Sequence, residues 1–263
     1  MRTLVLILLY SIGLVAHSAE VIPVKPIEDC FLCSNTPSMT MYWHGDNAKA
    51  VVVIIPGGDG YIGLTNESTD LTKSWVESVK RLTKSEYTRG QVDLVMLDSP
   101  SPVNNSDRDL SGRGTKGHMV RIESVVKFYK EKTGLPVIIL AQSNGGVSLA
   151  NFFRYMQDKQ ETDLIAGAIA STTRPESYFP KNINVPILFI THKNDGCRSI
   201  SQLHGIYEQV SENNSALTEW ILVEGGESES GKSVCYSGYH MFYKAGEEYA
   251  NGMDEFINKV IKE

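Results

Sequence analysis

Short apolar runs alternate with amphipathic stretches along most of this chain, and that alternation limits its possible folds more than any other feature. AVVVII at Ala50 to Ile55, VDLVML at Val92 to Leu97 and VIIL at Val137 to Leu140 are mostly apolar and rich in β-branched residues. Such runs fit strands buried on both faces, not half-exposed ones. Between the first two, Leu71, Trp75, Val76, Val79 and Leu82 recur at helical spacing within Ser68 to Leu82. Between the next two, Val120, Ile122, Val125, Val126 and Tyr129 do the same from Met119 to Lys132, with Gly134 placed to stop the helix. The pattern continues with a helix from Gly145 to Met156, strands at Leu164 to Ala170 and Val185 to Ile190, and a helix from Ile200 to Val210. A strand at Trp220 to Val223 and a helix from Tyr249 to Ile261 complete it, and Met41 to His44 reads as a first edge strand. Strand and helix in alternation predict an α/β fold with a mostly parallel sheet and helices on both faces. At 263 residues and 41% hydrophobic content, with no internal repeat or linker, one domain over 46–263 is the expected organisation.

The formal net charge is -6, and Lys and Arg are scattered, so the chain offers no basic field for nucleic acid. Residues 1–18 have the layout of a secretory signal peptide: Arg2, an apolar run from Leu4 to Val15, then small residues around Ala16 and Ser18. Cleavage is expected after Ser18, the alternative being an uncleaved anchor, and no stable membrane insertion is expected once the segment is removed. The predicted location is periplasmic or secreted. Residues 19–45 read as an irregular N-terminal arm carrying Cys30 and Cys33. Export makes all four cysteines candidates for disulfides, and four cysteines allow three pairings that spacing does not decide.

In a parallel sheet, groups that act together lie beyond the carboxyl ends of the strands. After Pro136 to Gln142 come Ser143, Asn144, Gly145 and Gly146. Ala141, Ser143 and Gly145 fill the G-x-S-x-G pattern of a sharp strand-to-helix turn that exposes a serine, with Ala in place of the first Gly. The plain alternative is a serine that opens a helix. After Ile55 comes Pro56-Gly57-Gly58-Asp59-Gly60. The N-H groups of Gly58 or Asp59 could join that of Asn144 as an oxyanion hole, the plain alternative being a glycine turn. After Ile190 comes Asp195, and after Val223 a loop that reaches His240. A serine hydroxyl is a poor nucleophile at neutral pH. It needs an imidazole to take its proton and a carboxylate to orient that imidazole. Ser143, Asp195 and His240 supply all three in the order this architecture uses. Glu224 is the rival carboxylate. His192 reads as structural or pocket-lining, and His118 and Arg113 either line a pocket or, with Asp98, brace the loop they sit on. Tyr239 is a further pocket candidate. His44 and His204 have no supporting context.

PGGDG, AQSNGG, HKNDGC and GYH, in that order from Ala50 onward, resemble the α/β-hydrolase superfamily. PGGDGYIGL, Asp98-Ser99-Pro100 and the spacing of Arg113 to His118 resemble, more narrowly, small exported bacterial α/β hydrolases of undefined substrate. The resemblance implies a single-domain α/β-hydrolase fold and a serine carboxylesterase-like enzyme that needs no metal or organic cofactor. Its partner would be a small acyl substrate. A peptidase or acyltransferase on the same triad, or a non-catalytic binding module, are the alternatives. The same alignment brings Cys197, two residues after Asp195, near Cys235, five before His240, and so implies a disulfide between those loops. Cys30 and Cys33 would then pair with each other or stay free. The stretch from Ser143 to Asp195 leaves no room for a large cap.

Overall fold

A computed structural model of the chain describes residues 19–27, 35–84, 86, 91–104, 106, 108–214 and 216–262. The expected signal segment 1–18, Cys30 and Cys33 lie outside the described residues. The strands are β1 (Glu20–Val24), β2 (Ser38–Trp43), β3 (Ala50–Ile55), β4 (Val92–Asp98), β5 (Val137–Gln142), β6 (Gly167–Ser171), β7 (Ile187–His192) and β8 (Thr218–Val223). They form one sheet in the order β1-β2-β4-β3-β5-β6-β7-β8. β1 and β2 run antiparallel at one side, and every pair from β4 across to β8 is parallel.

Alternate side chains of each central strand enter different cores. Val51, Val53, Ile55, Ile139 and Phe189 face the layer made by α2 (Lys116–Thr133) and α3 (Gly145–Lys159), with α4 (Ile200–Ser211) beside it. Val52, Ile54, Ile138, Leu140 and Ile190 face α1 (Ser74–Lys80) and α5 (Gly246–Val260). Both faces of β3, β4 and β5 are buried along their whole length, which is why their sequences are apolar at nearly every position. α2 starts where the Thr115 hydroxyl accepts the His118 N-H at 3.4 Å, and it stops at Gly134 with φ +69°, the left-handed cap that glycine adopts without strain.

The segment read as an irregular arm is different in the structure. Glu20–Val24 is an edge strand registered on β2, with Val21 opposite Met41 and Ile22 opposite Thr40, and the Thr40 hydroxyl donates to the Ile22 carbonyl at 2.8 Å. Pro23 hides this strand in the sequence, because proline cannot donate to a ladder, and an edge is where a sheet tolerates it. Consequently Met41–Trp43 belongs to an interior strand, not an edge one. The first helix is also shorter than its apolar periodicity suggests. Residues 68–73 are non-helical, and Leu71 still packs from that loop on the core beneath α1 and α5.

The chain passes from β3 to β4 on one side of β3 and then crosses to β5 on the other, so the loops after β3 and β5 diverge from adjacent strands. That switch point is where a crevice opens in such sheets. Among the described residues, no helix is long and apolar enough to cross a membrane.

Candidate active site

Ser143 leaves β5 with φ +52°, a left-handed conformation that costs a non-glycine residue of the order of 1 kcal/mol and persists only where the surroundings impose it. Here they do. The Ser143 N-H is held by the Ser171 carbonyl at 2.9 Å. A Cβ on Gly145 would lie 2.4 Å from the Ile55 carbonyl oxygen, one on Gly146 would lie 1.6 Å from the Thr173 hydroxyl, and one on Gly57 would lie 2.9 Å from the Ser143 Cβ. The strand, the helix behind it and the loop after β3 therefore approach more closely than side chains would allow. Ala141 meets this demand from within β5, opposite Ile55 on one side and Ala170 on the other.

The three side chains picked out by strand-end position meet. His240, in a 3-10 turn at Gly238–Met241, has Nε2 3.1 Å from Ser143 Oγ and Nδ1 2.8 Å from Asp195 Oδ2. Asp195 accepts the Cys197 N-H on its other oxygen at 2.8 Å, which fixes the carboxylate plane. With Asp195 as acceptor, Nδ1 carries the proton and Nε2 is left to accept from the serine hydroxyl. His240 and Asp195 are buried, and Ser143 is 8% exposed, facing a cleft of about 780 Å³. Cys197 and Cys235 are joined by a disulfide, as the family resemblance implied, and this ties the loop that holds the carboxylate to the loop that leads to the imidazole. Glu224, the rival carboxylate, is exposed and pairs with Lys193 at 2.9 Å.

Gly57, Gly58, Asp59 and Asn144 all line the cleft. Among the described residues, the backbone N-H groups of Gly58, Asp59 and Asn144 have no hydrogen-bond acceptor within the protein. The Asn144 side chain joins the two loops by donating to the Gly58 carbonyl at 2.7 Å, and Gly58 itself has φ +58°.

Arg113, His118, His192 and Tyr239 lie outside the cleft lining, so of the alternatives open for them the pocket reading finds no support there. Arg113 is fully buried beneath the loop after β3. It donates to the carbonyls of Pro56, Gly57 and Gly58 at 3.4, 3.4 and 3.0 Å, to the Ser148 hydroxyl at 2.9 Å and to Asn104 Oδ1 at 3.2 Å. Desolvation lowers its pKa to about 10. His118 lies 2.8 Å from the same Ser148 hydroxyl, and burial first, then Arg113, lowers it to about 3, so it is neutral. Asp98 accepts the N-H groups of Ile62 and Leu64 at 2.6 and 2.7 Å. The bracing reading of these three is what the contacts show. His192 donates from Nε2 to the Gly225 carbonyl at 2.8 Å and stacks on the Tyr239 ring, centroids 4.6 Å apart. It thus supports the residue next to His240, and burial is the first cause of its lowered pKa.

Several residues of the site carried no signal of that role in the sequence. Gln142 donates to the Thr172 hydroxyl at 3.0 Å and to the His240 carbonyl at 3.4 Å, and so ties the residue before Ser143 to the turn that holds the imidazole. Trp75, Met96, Met241, Arg174 and Arg198 line the cleft from five separate segments. No motif or spacing joins them, and only the tertiary fold could have revealed them.

No protein-family model and no curated protein matches the chain. Solved structures do. An α/β serine hydrolase without lid from Xanthomonas campestris aligns over 92% of this chain and 94% of its own at 9% identity, with a TM-score of 0.57. An esterase from Pyrococcus furiosus covers 92% of this chain and 90% of its own at 10% identity, TM-score 0.59. A dienelactone hydrolase from Anabaena variabilis covers 92% of this chain and 99% of its own at 11% identity, TM-score 0.57. At such identities the likeness concerns architecture alone, and this chain has the single-domain α/β-hydrolase fold without a large cap.

Proposed function

We propose that the protein is a serine hydrolase that cleaves a carboxylic ester through an acyl-enzyme. The observation that carries this reading is the unbroken chain from Ser143 Oγ to His240 Nε2 at 3.1 Å and from His240 Nδ1 to Asp195 Oδ2 at 2.8 Å, opening into a cleft. Ser143 Oγ attacks the carbonyl carbon while His240 Nε2 takes its proton, and Asp195 stabilises the imidazolium. The N-H groups of Asn144 and of Gly58 or Asp59 receive the oxyanion, and such preorganised donors contribute roughly 3 to 4 kcal/mol each to the barrier. His240 then gives its proton to the departing alkoxide, and the alcohol leaves. Water attacks the acyl-enzyme, its proton passes to His240 and on to Ser143, and the carboxylic acid is released.

The names of the structural neighbours, which include two hydrolases and an esterase, agree with the chemistry that the side chains support. A cleft without a large cap suits small, accessible acyl groups. An amide would need the same steps with a poorer leaving group, so a peptidase differs from an esterase here only in what the cleft admits. The disulfide between the Asp195 and His240 loops favours an oxidising location and supports an exported protein. Hydrolysis of short-chain aryl esters, lost in Ser143→Ala, tests the reading. A folded wild-type protein that hydrolyses neither esters nor aminoacyl amides and forms no acyl-enzyme would overturn it in favour of a binding module.

A further inference from the structure

The cleft at Ser143 is basic although the chain is acidic. Lys73, Arg108, Arg174 and Arg198 line it, against a single lining carboxylate among the described residues, that of Asp59, whereas the whole chain carries a formal charge of -6. Arg174 stands one residue from the nucleophile in space, its Nη1 donating to Asn144 Oδ1 at 3.0 Å. Its other edge holds Glu176 at 2.9 and 3.0 Å, and Glu176 is held below the usual carboxylate range first by Arg174, with Arg198 contributing. Arg198 follows Asp195 by three residues, and its Nη1 donates to the Cys197 carbonyl at 3.0 Å. Four cationic residues thus line the cleft against one lining carboxylate, with Glu176 held beside Arg174.

Like charges turned toward one cleft repel, and a bound anion relieves that repulsion where solvent screening is weakest. The same field concentrates anionic substrates at the mouth. The remaining wall is apolar, made by Ile62, Leu71, Trp75, Val76, Met96 and Met241. On the serine-hydrolase reading, we propose that the preferred substrate is an ester whose small apolar part is joined to a carboxylate or a phosphate. The apolar part lies on the Trp75 and Met241 wall, the anion lies against Arg174 and Arg198, and Lys73 and Arg108 draw it in.

Two measurements test this. The first is the rate at which a neutral fluorophosphonate labels Ser143 in the presence of benzoate, phenyl phosphate or the neutral benzamide. One of the anions is expected to slow labelling at a concentration at least about tenfold lower than benzamide does, an advantage that shrinks in high salt and in Arg198→Gln and Arg108→Gln. Which anion protects better separates a carboxylate from a phosphate. The second compares kcat/KM within matched ester pairs: 4-acetoxybenzoate with 4-acetoxybenzamide for an anion on the alcohol side, and monomethyl terephthalate with methyl 4-carbamoylbenzoate for one on the acyl side. The anionic member of at least one pair is expected to win by about tenfold or more. If Ser143 is labelled but benzamide protects as well as both anions, the anion site is wrong while the serine-hydrolase reading stands. If the folded protein is not labelled at all, that reading fails and takes the anion site with it.

Discussion

Ser143 sits in a conformation that its side chain disfavours, and its neighbours show what enforces it. The clash distances at Gly145 and Gly146 mean that even a methyl group there must move backbone or a buried threonine. Gly146→Ala should therefore destabilise the fold by about 2 kcal/mol or more, read as a fall in the denaturant midpoint, whereas Gly134→Asn, at a cap with open space around it, should cost much less. Asp195→Asn keeps the shape of the side chain but removes the charge that fixes the His240 tautomer. It should lower kcat by about 10⁴ while leaving the melting temperature nearly unchanged, and a loss of less than tenfold would show that Asp195 does not serve His240. The residues proposed to carry this chemistry were legible because each follows its own strand, and a parallel sheet gathers strand ends at one edge. The place of Arg174 and Trp75 in the cleft was not legible. Arg174 lies in a loop, where no periodicity betrays it, and the spacing of Trp75 marks it only as part of the apolar face of α1; both reach the cleft by packing between segments about a hundred residues apart.

At the scale of the elements, the loop after β3 has no regular structure and is shaped from below by Arg113, a buried guanidinium that spends its donors on three consecutive carbonyls of that loop. Holding those carbonyls fixes the peptide planes that carry the proposed oxyanion donors. Arg113→Lys retains the charge but loses the planar fork, so kcat should fall by at least tenfold with little change in KM, the mark of a positioning residue. Next to it, His118 imposes a pH dependence. Its folded pKa, about 3, is below the unfolded value near 6.5, so the unfolded chain binds the extra proton and stability falls as pH drops. The contribution is complete above about pH 6.5 and is lost below it by up to about 1.4 kcal/mol per pH unit. His118→Gln should flatten the melting temperature between about pH 6.5 and 4 relative to wild type. The Cys197 to Cys235 link belongs to this scale too. Reduction, or Cys235→Ser, should lower both the melting temperature and kcat, since the loops of Asp195 and His240 would then lose their covalent link and be held by non-covalent contacts alone. Unchanged values for both would contradict that role.

At the scale of the molecule, apolar runs and helical periodicity were enough to place, among the described residues, seven of the eight strands and all five α-helices at least approximately, because a sheet covered on both faces writes its burial directly into composition. β1 escaped because an edge strand with a proline carries neither signal, and the shortened α1 shows that an apolar loop can mimic helical spacing when it packs on the same core. The cleft walls come mainly from the loops at the strand ends, with α1 and β4 contributing, so on the hydrolase reading the sheet specifies where chemistry occurs and the loops specify on what. The claim on which the rest depends is that Ser143 is a nucleophile activated by His240 and Asp195. Peptide mass mapping after incubation with a fluorophosphonate tests it most directly. The account predicts one covalent adduct, on the peptide containing Ser143, absent in Ser143→Ala and formed far more slowly in His240→Ala. An adduct on another residue, or none on a folded protein, would contradict it.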